Sequence, residues 1–368
     1  MLKLMLAKTY RTFKKDGVAA VFTKSLNRIY SMYKRINVND AEEVERWRHL
    51  KNKYTGKRAF IVGNGPSLNK TPLYLLKNEY TMCFNRFFIM NERINWDPTF
   101  YATTDNIVLS DILGEVVEFI PRTHYSFLPD IHFRGDNYIE KIGRIDNLYW
   151  LQQQHGEGFS QDLPKIFPGG TVIYEGFQIL RYLGFQEIYL VGVDLNYKIH
   201  DSVKYLKKRG LDIESQKDDD PNHFDPRYFG KNKKYHQPEE TVVQNIFRNL
   251  KYLSGILPEL DLKIINAGYD SKLDYFPKAD FLQVVDLSSQ EREDLFLQCL
   301  SKASEYRTIH AFESKNPRID GGNHFQPSNE ADFFIDLEGA LPLIPKAIFT
   351  HIPIGPFDHK YYFIRRRH

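Results

Sequence analysis

Lys57-Arg-Ala-Phe-Ile-Val-Gly-Asn-Gly-Pro-Ser-Leu-Asn-Lys70 (KRAFIVGNGPSLNK) is the stretch on which the fold turns. Arg58 to Val62 is short, apolar after its first residue and rich in β-formers, which predicts a buried strand. It runs into Gly63-Asn64-Gly65-Pro66-Ser67. Glycines in a strand-to-helix turn let backbone amides approach a phosphate, and the following helix terminus favours an anion. Pro66 suits a first helical turn, where its missing donor costs nothing. Leu68 stands where a dinucleotide fingerprint has its third glycine, and no Gly-Lys-Ser follows as in a P-loop. A tight turn with no ligand is the plainer reading of the same residues.

Working outward, the pattern alternates. Thr71 to Lys77 predicts a short helix, Tyr80 to Phe84 and Thr99 to Thr103 predict strands, and Glu115 to Ile120 and Leu148 to Leu151 are weaker strands. Thr171 to Leu183 predicts a helix behind a Gly-Gly entrance. Glu187 to Val193 (EIYLVGV) is the clearest strand, Glu239 to Leu253 a helix, and Lys263 to Asn266 a last strand. This predicts an α/β fold: a Rossmann-like, mostly parallel sheet with helices on both faces, plus N-terminal helices and a small C-terminal extension. Ligands of such sheets bind at the carboxyl ends of strands. The unusual polar residues follow those ends: Asn64, Asn85, Thr104 with Asp105 and Asn106, then Asp194, Asn196 and Tyr197. Their coincidence predicts one site.

The chain has 368 residues, 42% hydrophobic and 26% charged, which suits one large domain or two ordinary ones. A net charge of +3 gives no reason to expect a nucleic-acid partner. Cys83 and Cys299 are isolated, so no zinc site is built on thiolates and a reducing compartment is expected. Residues 1–37 carry an apolar stripe (Leu2, Met5, Leu6, Tyr10, Phe13, then Val18 to Tyr33) among many lysines and arginines. Such a basic amphipathic helix either lies on an anionic membrane or packs on the main domain. No signal peptide and no run of about 20 apolar residues is present, so the expected location is cytoplasmic, peripheral on the inner membrane face. We divide the chain into a basic helical segment (1–56), a nucleotide-binding catalytic domain (57–285) and a C-terminal helix with an irregular subdomain (286–368), the helix falling on Ser288 to Ser304.

The runs KRAFIVGNGPSLNK, FNRFF, PGGTVIYEGFQIL and GFQEIYLVGVDLNY, in that order over residues 57–270, resemble one superfamily. It holds the bacterial sialyltransferases of glycosyltransferase family 42, and the former domain of unknown function 115 with motility accessory factors and MptE-like pterin pyrophosphokinases. The resemblance implies that Asn64 and Gly65, within Gly63 to Ser67, touch the phosphate and ribose of a CMP-sugar. It implies that Asn85 contacts the nucleotide and that Gly169 and Gly170 hold it by their backbone. Asn196 and Tyr197 fall where the family has the first of two tyrosines near the donor phosphate, and Tyr205 is the nearest match to the second. His223 is the nearest match to the catalytic histidine. The chain departs from the pattern in having no arginine directly before Pro168-Gly169-Gly170; Lys165 is the substitute at hand.

Chemistry points the same way. An acceptor hydroxyl loses its proton as it attacks the anomeric carbon, and histidine titrates near neutral pH. His223 and His236 lie in the long aromatic-rich loop from Tyr197 to Gln237, a length typical of lids. Asp218-Asp219-Asp220 reads as solvated acids. The leading expectation is transfer of an acidic sugar (sialic-acid-like or another ulosonic acid) from a CMP-linked donor to a cell-surface glycan or lipid-linked acceptor, with no cofactor. The alternatives are a pyrophosphokinase that needs magnesium, for which Asp105 and Asp194 would be the metal candidates, and a nucleotide-binding module without catalysis.

Overall fold

The computed structural model describes residues 41–131, 136–154, 156–198, 200–206, 212–269 and 271–285, together with three strands nearer the C-terminus. In chain order the first elements are α1 (Ala41–Leu50), β1 (Arg58–Val62), β2 (Tyr80–Phe84), β3 (Phe100–Ala102), α2 (Asn106–Asp111), α3 (Leu113–Phe119), β4 (Tyr125–Pro129), α4 (Tyr138–Ile142), β5 (Leu148–Gln153) and β6 (Lys165–Ile166). Then come α5 (Val172–Tyr182), β7 (Glu187–Val191), β8 (Val203–Tyr205), β9 (Asp212–Ser215), β10 (Lys234–His236), α6 (Glu240–Ile256), β11 (Lys263–Asn266) and α7 (Phe281–Val284).

Eight strands form one sheet in the order β11-β7-β1-β2-β3-β4-β5-β6. Every pairing in it is parallel. The chain moves outward from β1 to β6 and then returns to place β7 on the other side of β1. The strand order therefore reverses between β1 and β7, and the crevice outside their carboxyl ends is where a sheet of this kind takes a ligand. This is the Rossmann-like α/β fold expected of the sequence.

Period-two alternation in the strands splits the core into two layers. Phe60, Val62, Cys83, Tyr101 and Val191 face one side, with Val108, Val116, Phe119, Phe224 and Tyr228. Ala59, Ile61, Met82, Phe84 and Phe100 face the other, under Phe177 of α5, Leu250 of α6 and Trp47 of α1. Trp47 sits edge-on to Tyr149 and Tyr182. Thus α1, which the sequence reading groups with the N-terminal segment, belongs to the core of the sheet.

Three elements differ from expectation. Glu115 to Ile120 is helical, within α3 and the turn after it, and the strand falls later, at β4. Thr71 to Lys77 is not a regular helix: two 3₁₀ turns, Pro66–Lys70 and Leu73–Leu76, fill that region. The Tyr197 to Gln237 loop carries its own antiparallel sheet, ordered β10-β9-β8. A third sheet pairs β12 (Tyr306–Glu313), β14 (Lys360–Arg366) and β13 (Phe333–Asp336), antiparallel throughout. The helices expected over 1–37 and 288–304 lie outside the described residues. Among the described residues no helix is long and apolar enough to cross a membrane.

Candidate active site

The carboxyl ends of β1, β2, β3, β5 and β7, the N-terminus of α5 and the 197–237 segment enclose a cavity of about 480 Å³, a size usual for small-ligand sites. Residues singled out from sequence line it: Asn64, Gly65, Pro66, Asn85, Thr104, Asp105, Asn106, Pro168, Gly170, Asp194, Asn196, Tyr197, His223 and His236. Gly63, Ser67 and Gly169 do not.

The first turn is arranged differently from a phosphate cradle. Gly63 N donates to Val191 O and Gly65 N to Gly192 O, each at 2.8 Å, and Leu68 N donates to Gly65 O. Ser67 N donates to Asp194 Oδ2 at 2.9 Å, and the Ser67 hydroxyl donates to the other carboxylate oxygen. An anion does occupy the start of the 3₁₀ turn, but it is the protein's own Asp194. The glycines serve this packing, because a Cβ on Gly65 would overlap the Asp194 carboxyl group, with Oδ1 2.8 Å away. The amides of Gly63, Gly65 and Ser67 are therefore engaged within the chain.

The other helix terminus at the cavity is that of α5, where the Thr171 hydroxyl accepts from Ile173 N at 3.4 Å and Thr171 O accepts from Tyr174 N at 3.0 Å. Pro168, Gly170, Thr171 and Val172 line the cavity there. Gly169 and Gly170 reach this turn at φ +59 and +84, conformations that suit glycine. Two non-glycine residues on the cavity wall also adopt positive φ, Asn85 at +50 and Leu195 at +51, and such strained backbone concentrates at functional sites. The Asn64 amide nitrogen donates to Phe84 O at 3.1 Å. Its Oδ1, and that of Asn85, are buried without a hydrogen-bond partner among the described residues, and both asparagines line the cavity.

The histidines of the 197–237 segment are each paired with an aspartate. His223 Nδ1 lies 2.7 Å from Asp220 Oδ2, and its ring stacks on Tyr228 with centroids 4.0 Å apart. Because a carboxylate only accepts, Nδ1 carries a proton, and in the neutral form of the ring the lone pair is on Nε2. Asp220 is 2% exposed at its side chain. Burial pushes its carboxyl up, but the charge and hydrogen bond of His223, and the amides of Asn222 and Phe229, outweigh burial and hold it below the usual range. His236 Nδ1 contacts Asp212 at 2.9 Å and its Nε2 faces Asp105 at 3.7 Å. With a carboxylate at each nitrogen, His236 is built as a donor. His200, buried and not foreseen from sequence, bonds Asp219 and the Tyr235 hydroxyl. The acids at 218–220 are thus not merely solvated: Asp218 accepts from Lys231 N, Asp219 holds His200 and Asp220 holds His223.

The segment is tied to the sheet. Arg86 donates to the carbonyls of Arg227 and Tyr228, and Arg93 pairs with Asp225 at 2.6 Å. Hydrogen bonds from Arg227 lead the forces that hold Asp225 down at about 2. Tyr197 lines the cavity and is 37% exposed, and a tyrosine in ordinary surroundings titrates at about 10. It therefore remains a hydroxyl donor at neutral pH. Tyr205 is exposed and bonded to Gln237, and Lys165 is exposed on the edge strand; neither lines the cavity.

Residues 32–200 match the family model 6-hydroxymethylpterin diphosphokinase MptE-like. A solved structure, the MAf glycosyltransferase from Magnetospirillum magneticum AMB-1, aligns with 14% identity and a TM-score of 0.37 over 70% of this chain. The alignment spans 46% of that structure's length. No curated protein matches. The family match takes in the turns after β1, β2, β3 and β7 and the entrance to α5. It stops before His223, His236 and their aspartates.

Sequence reasoning missed one wall of the cavity. Glu175, in the first turn of α5, is 1% exposed. It accepts from the Thr104 hydroxyl and from Gln153 Nε2, the latter at 2.9 Å. Its signal was a carboxylate inside the apolar run VIYEGFQIL. Burial, with a smaller push from Asp105, raises its pKa from 4.5 to about 8. The folded state then holds a proton that the unfolded chain releases. This contribution to stability is full below about pH 4.5 and is lost as pH rises towards about 8. Glu175→Gln should flatten that slope and raise Tm at pH 8 relative to the parent. A parallel pair of Tm–pH curves would show that Glu175 is not the source.

Among the described residues, no group of three or more His, Cys, Asp or Glu side chains is placed to hold a metal ion. Asp105 accepts from Ile107 N and Val108 N as the N-cap of α2, and Asp194 caps the first turn.

Proposed function

We propose that this chain is a transferase that moves an acidic sugar from a CMP-linked donor to a hydroxyl of a surface glycan or lipid-linked acceptor, with His223 as general base. The observation that carries the reading is the His223–Asp220 pair, with His223 on the wall of a cavity built from strand ends. A buried carboxylate that fixes the tautomer of a histidine is what proton abstraction from an alcohol requires. The α5 terminus supplies amides for the donor phosphate, and Tyr197 supplies a hydroxyl donor for the charge that builds on the leaving group. The CMP donor itself rests on the family 42 resemblance. An acceptor at an anionic membrane face would suit the basic residues before 38.

The MptE-like match favours a second reading, a diphosphokinase using ATP and magnesium. Against it, Asp105 and Asp194 are already engaged as caps, and the paired histidines are left without a task.

A thermal-shift series with CMP, CDP, UDP, GDP and ATP, each with and without magnesium, separates the two. CMP or CDP at about 100 times its dissociation constant should stabilise the fold by roughly 2.7 kcal/mol, unaffected by EDTA. A shift seen only with ATP and magnesium would overturn the transferase and promote the diphosphokinase.

A further inference from the structure

The cavity has a chemically distinct end. Glu175 sits there at 1% exposure, and its side-chain partners are neutral: Thr104 on Oε2 and Gln153 on Oε1. No cation lies within ion-pair distance of it among the described residues. Ionised carboxylates buried this deeply are almost always paired with a cation. A carboxyl group in these surroundings keeps its proton, in line with a pKa held at about 8, mainly by burial. It then offers a donor beside an acceptor along one edge. The remaining hydrogen bonds fit that form. Thr104 donates to Oε2, and Glu175 lines the cavity. Oε1 accepts from Gln153 and keeps a second lone pair.

We propose that Glu175, supported by Thr104 and Gln153, reads the nucleobase of the donor, pairing edge-on with a base that presents a ring nitrogen acceptor beside an exocyclic amino group, as cytosine does at N3 and N4. The inference rests on the nucleotide reading above and adds what selects the base. Oε2–H donates to the ring nitrogen, and Oε1 accepts from the amino group. The two adjacent donors of guanine or pterin match an ionised carboxylate instead, while the lactam edges of guanine and uracil, a carbonyl beside one ring N–H, also meet a neutral carboxyl and are separated from cytosine by the test. Adenine shares the cytosine pattern at N1 and N6, and the test separates the two.

Titration calorimetry with CMP, AMP, UMP and GMP on the full chain tests this at pH 7 and pH 9. CMP is expected to bind about tenfold or more tightly than GMP at pH 7, since one two-bond base contact discriminates by about five- to 150-fold. CMP affinity should fall about tenfold by pH 9, where the carboxyl has ionised. Other titratable groups share the cavity or face Glu175: Asp105, paired with His236, and also Asp194 and His223. Glu175→Gln, which copies the protonated form, should retain CMP binding at pH 7 and lose the pH dependence, whereas these other groups would titrate unchanged in it. Glu175→Leu should weaken CMP about tenfold or more. The proposal is overturned if GMP, AMP or UMP is the preferred nucleotide, if CMP binding is the same at both pH values, or if Glu175→Gln weakens CMP as much as Glu175→Leu does. If none of the four nucleotides binds the parent protein, the nucleotide reading itself falls.

Discussion

His223→Ala is expected to lower kcat by about 10²- to 10⁴-fold, the usual contribution of a positioned general base, while the dissociation constant for CMP or CDP stays within about threefold. The asymmetry follows from where the ring sits. Its Nδ1 is held by Asp220 at 2.7 Å and its face by Tyr228, so the ring is fixed by protein and presents only Nε2 to the substrate. Removing it withdraws a proton acceptor from the transition state and little from the bound donor. The truncation also leaves Asp220 buried, with the amides of Asn222 and Phe229 as its remaining donors. His223→Gln is therefore the necessary companion, because its amide can still donate to Asp220 but cannot accept a proton. Both variants should lose turnover alike. His236→Ala should lose less, since both nitrogens of His236 face carboxylates. A His223 variant that keeps more than about a tenth of parental turnover would remove it from the role of base.

The fold was legible where one period dominates. Arg58 to Val62 is apolar after its first residue and bounded by glycine, and it is a strand as read; Glu187 to Val193 reads as one strand, and it ends two residues early, at Val191 before Gly192. Glu115 to Ile120 misled because EVVEFI is β-branched and apolar enough for a strand. Its buried members, Val116, Phe119 and Ile120, stand at i, i+3 and i+4, the spacing of one helix face. The strand β4, read as YSFLP, is short and ends in proline, a weak strand signal. Within the site, the polar residues after the strands could be found because topology alone gathers strand ends. The partners of the histidines could not. His200 with Asp219, and His236 with Asp212, are set by the path of a loop, which leaves no period in the sequence. Glycine beside a strand end signals a close approach of something, and here that something is the neighbouring turn.

Gly63→Ala is accordingly expected to destabilise the protein by about 3 kcal/mol, the upper part of the usual range for overpacking a core, and to lower Tm by about 6 °C. A Cβ at this position would overlap the Gly192 carbonyl, with the carbonyl carbon 2.7 Å away, and would press Val193 Cγ2 at 3.1 Å. The obstacle is backbone, and that backbone is anchored by hydrogen bonds on both sides, Gly63 N to Val191 O and Gly65 N to Gly192 O. Relief by rotating a side chain is unavailable. Gly65→Ala is the informative contrast, because its Cβ would meet the Asp194 carboxyl group instead. Asp194→Ala should therefore recover part of the cost of Gly65→Ala and none of the cost of Gly63→Ala, a coupling that a double-mutant cycle in urea measures. Equal rescue of both would mean that the two glycines answer to one ligand-like group. Rescue of Gly65→Ala alone would establish the turn as a joint between β1 and β7, with the anion at its amides built into the chain and the donor phosphate left to the α5 terminus.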